Sequence, residues 1–213
     1  METTQAAENL QTIRTLMERS AVYRRALAPI MTFVGVVGVT AAAIGCVGRI
    51  ETSRVFILYW SAVAAVALAG SFLLVRRQAL KDSEPFWSPP TRRVAQALFP
   101  PFSAGFLVAA VIFVNSNPGA EPVTSGLGTL FLPIGWVVIY GCALHAAGFF
   151  TPGGMRKFGW AFVLGGCGLF AVGLPDRIEA VYYSHGIMGF FFGLLHVAYG
   201  GYLYLTEKGT NAA

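Results

Sequence analysis

The sequence predicts an all-α fold: a polytopic membrane helix bundle with six transmembrane helices arranged as three in–out–in hairpins, behind an N-terminal amphipathic cytoplasmic helix. Three observations carry this. Hydrophobic residues make up 55% of the 213 positions and charged residues only 12%, about half the charged share of a soluble domain. The charges sit in short islands between uncharged runs of roughly the 20 residues that a spanning helix needs. The islands also alternate in basicity. Of the 15 Lys and Arg, four precede residue 28, five lie in 76–96, two in 151–157 and one in the tail. Only three occupy the intervening connections 49–54, 115–126 and 175–179. The positive-inside rule then puts both termini in the cytoplasm.

Residues 1–27 form the first element. Leu10, Ile13, Leu16, Met17 and Ala21 recur at helical spacing, with Glu8, Gln11, Arg14, Glu18 and Arg19 over the rest of the surface. Arg14 and Glu18 are four apart and can pair. The stretch lacks the basic start, apolar core and cleavage site of a signal peptide. It is expected to lie on the inner membrane surface or under the bundle.

The transmembrane domain is expected over 28–206, with spans at about 29–48, 55–75, 97–114, 127–150, 158–174 and 180–206, and a cytoplasmic tail at 207–213. Pro29 suits the first turn of span 1, and Tyr59 and Trp60 the interfacial start of span 2. The loop 76–96 is the longest polar connection, and its EPFWSPP centre, with Trp87 at headgroup level, cannot be a continuous helix. Pro100 and Pro101 are expected in the first turn of span 3. Pro133 is expected to kink span 4, and span 5 is short and rich in glycine. Leu144-His145 and Leu195-His196 share a Leu-His-x-Ala pattern, which suggests a degenerate hairpin repeat.

No expected span contains Asp, Glu, Lys or Arg. Intramembrane charges mark ion paths and proton relays, so a proton-coupled transporter, a voltage sensor and a retinal protein are disfavoured. HExxH, GxSxG and the P-loop are missing from the sequence. Cys46, Cys142 and Cys167 fall inside apolar runs without CxxC spacing and read as small buried residues. The net charge of +5 reflects cytoplasmic loops, not nucleic-acid binding.

The histidines are the remaining polar chemistry. In the last span Gly186, Gly189, Gly193, His196 and Gly200 follow one another at steps of three and four, which places them on one helical seam. Such a seam serves close helix packing; alternatively it leaves room for something flat. His145 and His196 lie at similar expected depth, toward the cytoplasmic half. Two imidazoles from different helices can ligate haem iron from both sides, with Gly193 and Gly200 making room for haem b. His185, beside Tyr182, Tyr183 and Ser184, reads as an interfacial residue.

The opening ENLQTIRTLMERS, through Glu8, Asn9, Leu10, Ile13, Arg14, Met17, Glu18 and Arg19, resembles that of a family of uncharacterised six-span bacterial inner-membrane proteins. So do Leu132, Pro133, Trp136, Tyr140 and Gly141 in span 4, the Pro100-Pro101 pair, and the Gly-Leu-Leu-His ending at His196. The resemblance implies a six-span protein of the bacterial inner membrane. It carries His196 as part of the pattern and leaves out His145, and it supplies no activity or cofactor.

The resulting expectation is a non-enzymatic sensory, regulatory or accessory subunit in the lipid bilayer. It would meet a cytoplasmic or membrane protein partner through the N-terminal helix and the 76–96 loop, and its small-residue seams are compatible with a homo-oligomer. One alternative is a haem-binding electron-transfer or respiratory accessory subunit using His196, with His145 as the second ligand. Another is a facilitator for a neutral solute through the glycine-lined bundle.

Overall fold

Helices account for all the regular structure among the described residues. The computed structural model describes residues 27–81, 83, 85–87, 89–116, 127–151, 154–172 and 180–211. The expected amphipathic helix over 1–27 lies outside these residues except for Leu27, which already belongs to the first helix.

Helix α1 covers Leu27–Val47, α2 Ser53–Lys81, and α3 Pro89–Asn115. A π-helical turn, Leu127–Phe131, leads into α4, Leu132–Ala147, and α5 covers Met155–Val172. The last rod is α6, Ala180–Met188, then a π-helical segment, Gly189–Leu194, then α7, Leu195–Asn211. Five of these stretches are long and apolar enough to cross a membrane: Leu27–Val47, Ser53–Lys81, Thr91–Asn115, Thr129–Ala147 and Val181–Thr206. The remaining expected span, span 5, corresponds to α5, which has 18 residues and starts Met155-Arg156-Lys157. From Phe158 onward its apolar part is only about 22 Å long, against a hydrocarbon core of about 30 Å.

Several boundaries differ from the sequence reading, and prolines explain most of the differences. Helix α3 begins at Pro89, so Pro89 and Pro90 take the helix start, where a missing N–H costs nothing. Pro100 and Pro101 then fall inside the helix. With α2 reaching Lys81 and α3 starting at Pro89, the stretch between the two helices is shorter than the expected loop, and Arg76, Arg77, Lys81, Arg92 and Arg93 stand on helix ends. Pro133 sits at the start of α4 and marks the change from π to α geometry. It has no N–H for the carbonyl of Thr129, four residues back. The Ser184 hydroxyl on α6 donates to that carbonyl. The last rod runs on to Asn211, past the expected end of span 6.

The rod α6–α7 is central. Leu27 and Met31 of α1, Ile134, Val137 and Leu144 of α4, Phe158 and Phe162 of α5, and Ile187 and Phe191 of the rod form the main apolar cluster. A second cluster joins Ala41, Phe56, Trp60 and Met188. A third joins Ile57, Ala109 and Leu132. Helices α2 and α3 are peripheral: only 11% of the apolar stretch of each is buried, against 44% for α4.

Candidate functional site

The glycine seam of the last rod resolves into a helix contact. A Cβ on Gly193 would lie 2.8 Å from the Val39 backbone nitrogen, and one on Gly200 would lie 2.9 Å from that of Thr32. Gly189 faces Ala42. From the other side, a Cβ on Gly35 would lie 2.6 Å from the nitrogen of Val197, and Gly38 faces the Phe192 carbonyl. Backbones approach this closely only where side chains are missing. Gly186 is the exception: a Cβ there would meet nothing within 4 Å.

The seam that packs on α1 is therefore Gly189, Gly193, Val197 and Gly200. Val197 occupies the place that the sequence reading gave to His196. The π segment is the reason. Its wider turn makes a step of four, not three, return to the α1 side, and His196 is displaced by one residue, about 100° around the rod. It points toward α4 and α5.

There His196 is completely buried. Its ring lies among those of Tyr140, Phe158, Phe162 and Phe192, with centroids 5.3–6.3 Å away. The π segment also supplies one of its partners. The Leu195 N–H bonds to the Phe190 carbonyl, five residues back, so the Phe191 carbonyl loses its usual α-helical donor. His196 Nδ1 lies 2.9 Å from that carbonyl. A carbonyl can only accept, so Nδ1 carries the proton. Nε2 is then the acceptor, and the Tyr140 hydroxyl donates to it at 2.8 Å.

His185 forms a second site of opposite polarity. It too is fully buried, beside the α1–α2 turn. The Trp60 indole N–H donates to Nδ1 at 3.1 Å. Indole nitrogen has no lone pair to offer, so Nε2 carries the proton here, and it donates to the Ile50 carbonyl at 3.2 Å. Phe56 and Tyr59 complete the ring shell. The imidazole occupies the space where a Cβ of Gly45 would be. Gly45 also accepts, through its carbonyl, from the Ile50 N–H at 3.1 Å, and Arg49 between them has φ 47°. This left-handed turn at the end of α1 is what aims the Ile50 carbonyl inward.

Both histidines thus act as interhelical clasps. His185 ties α6 to α2 and to the α1–α2 turn, and His196 ties α7 to α4. Other side chains extend the set. Tyr59 of α2 donates to the Ala41 carbonyl of α1 at 2.5 Å, and Trp136 of α4 donates to the Gly105 carbonyl of α3 at 3.0 Å.

His145 stands apart from His196. Its ring contacts are Phe149 and Trp160, neither of which touches His196. Its backbone lies against Gly159, and Gly141 faces Gly159 in the same α4–α5 contact. An iron shared by His145 and His196 would have to take Nε2 from Tyr140 and open the aromatic cage, so this arrangement does not fit a bis-histidine haem. Gly193 and Gly200 face Val39 and Thr32 of α1, not the side of the rod that carries the His196 ring. Three buried polar atoms lack a partner among the described residues: Arg54 Nε, His145 Nδ1 and the Tyr199 hydroxyl. Each is near a helix end or a connecting turn. The three cysteines are free.

Sequence reasoning found His196 but missed Tyr140 as its partner, and it missed the Trp60–His185–Gly45 site. A usable signal was present: polar-tipped aromatics such as Trp60 and Tyr140 on largely apolar helices need buried acceptors, and the chain has three histidines that can supply them. Together the fold and these clasps define a helical membrane bundle. No family model, curated protein or solved structure matches the chain.

Proposed function

We propose that this chain is a six-span protein of the bacterial inner membrane, three in–out–in hairpins with both termini cytoplasmic, and that it serves as a non-enzymatic sensory, regulatory or accessory subunit acting through partners. The observation that supports this reading most is the engagement of the buried histidines. Both ring nitrogens of His185 and of His196 already have protein partners, so neither ring offers a free donor or lone pair to a substrate. The work of such a protein falls to its surfaces. Counting α5 as a span gives the even parity that the distribution of Lys and Arg requires.

Two experiments test this. A reporter fused after Ala213 should be cytoplasmic; an external C-terminus would overturn the six-span topology. Deleting residues 1–25 should remove stoichiometric partners that co-purify with the intact chain, and an unchanged set would count against the N-terminal segment as the docking element. The haem alternative has its own test. The detergent-purified protein is expected to show no band that shifts on dithionite reduction, and a Soret band lost in His196→Ala would reinstate it.

A further inference from the structure

The least buried helices, α2 and α3, share a strongly basic end. Arg76, Arg77 and Lys81 close α2, Arg92 and Arg93 open α3, and all five are exposed. Asp82 and Glu84 are the acidic residues of the intervening sequence, which leaves this tip with a clear positive excess. Two apolar stretches of equal length lead to it. Val55 to Val75 and Val94 to Val114 each rise about 31 Å, close to the hydrocarbon thickness of about 30 Å. Arg76-Arg77 and Arg92-Arg93 therefore reach the same plane, at headgroup depth.

Aromatic rings mark that plane. Phe72 meets Phe86 edge-on at 4.9 Å, and Phe86 stacks on Trp87 at 6.1 Å. Trp87 is 61% exposed, as expected for an indole at the membrane interface. Beside the cations the surface is apolar. Leu73 and Leu80 share the α2 face of Arg77, Phe99 shares the α3 face of Arg92, and all three are exposed. Leu73 thus lies on the hydrocarbon side of Arg77, and Phe99 on the hydrocarbon side of Arg92, while Leu80 lies beyond Arg77.

We infer that the α2–α3 tip is a binding surface for anionic phospholipid, with Arg76, Arg77, Arg92 and Arg93 contacting lipid phosphates, Lys81 adding charge, and the exposed Leu73 and Phe99 lying against acyl chains. Guanidinium groups match phosphate oxygens bidentately, and their stems cover apolar surface while the heads reach outward. A protein partner is disfavoured because the cations are continuous with the lipid-facing stripes of both helices. The inference needs only that α2 and α3 cross the bilayer; it gives the 76–96 region to lipid in place of the protein partner expected there, and leaves the N-terminal segment as the docking element.

The test uses the intact chain in phosphatidylcholine vesicles carrying spin-labelled phosphatidylglycerol or spin-labelled phosphatidylcholine, and compares the fraction of each label immobilised by the protein. A preference for phosphatidylglycerol of about fivefold is expected at low salt, shrinking toward unity in about 1 M salt. R76Q/R77Q/R92Q/R93Q should abolish it, the corresponding four lysine replacements should keep most of it, and R156Q/K157Q should leave it intact. Equal immobilisation of both labels by the unmodified chain would overturn the inference without relying on any variant. So would a preference that survives the four glutamine replacements. A stoichiometric protein lost with those replacements, in the absence of any lipid preference, would reassign the tip to a protein partner.

Discussion

Replacing Tyr140 with Phe isolates the His196 clasp. The ring, stacked on Phe102 and packed against Phe162, Phe192 and His196, is retained, and only the hydroxyl that donates to Nε2 is removed. His196 Nδ1 stays bonded to the Phe191 carbonyl, so the ring cannot switch tautomer without losing that bond as well. The substitution therefore leaves a buried acceptor unpaired, which costs about 1–3 kcal/mol in protein interiors. Interhelical pairs in membranes couple by about 0.6 kcal/mol on average and up to about 1.7. The cage of Phe158, Phe162 and Phe192 keeps the site dry, so the upper part of that range applies and the expected loss is about 1–2 kcal/mol. Reversible unfolding by steric trapping in bicelles would measure it. His196→Ala adds a cavity cost, but that cost appears in both backgrounds and cancels in a double-mutant cycle, leaving a coupling of about 1 kcal/mol. A coupling below about 0.3 kcal/mol, within the scatter for independent sites, would refute the clasp.

Three further outcomes follow from the same packing. Gly45→Ala should force the His185 imidazole from its place, break its bonds to Trp60 and Ile50, and cost about 2–4 kcal/mol; Trp60 emission should shift with it, and an unchanged spectrum and stability would contradict the geometry. Gly193→Ala should loosen the contact between α1 and the last rod by about 1–3 kcal/mol, while Gly186→Ala, with open space around it, should stay within about 0.5 kcal/mol of wild type; equal effects would mean that the seam is misplaced. Ser184→Ala should cost about 1 kcal/mol by removing the hydroxyl that ties α6 to the Thr129 carbonyl; an unchanged stability would contradict that contact.

Different residues were legible to different degrees. The helices were readable because a membrane span is a one-dimensional property: a run such as Val55 to Val75 declares itself by length and apolarity alone. The prolines were harder, since Pro89-Pro90 and Pro100-Pro101 look alike locally, and only the rest of the bundle decides which pair begins the helix and which is tolerated inside it. Trp60 and Tyr140 were visible as polar-tipped residues with unknown destinations.

Composition and charge distribution were enough to give the class, a helical membrane chain whose expected spans carry no charge, because the bilayer constrains each helix separately and composition reports directly on that constraint. Where each histidine points depends on the packed bundle. Steps of three and four are both close to 3.6 residues per turn, so spacing alone cannot choose between His196 and Val197 for the α1 seam. One π-helical segment, Gly189–Leu194, makes that choice. It rotates His196 toward the Tyr140 hydroxyl and frees the Phe191 carbonyl for it, so that His196 bonds α7 to α4.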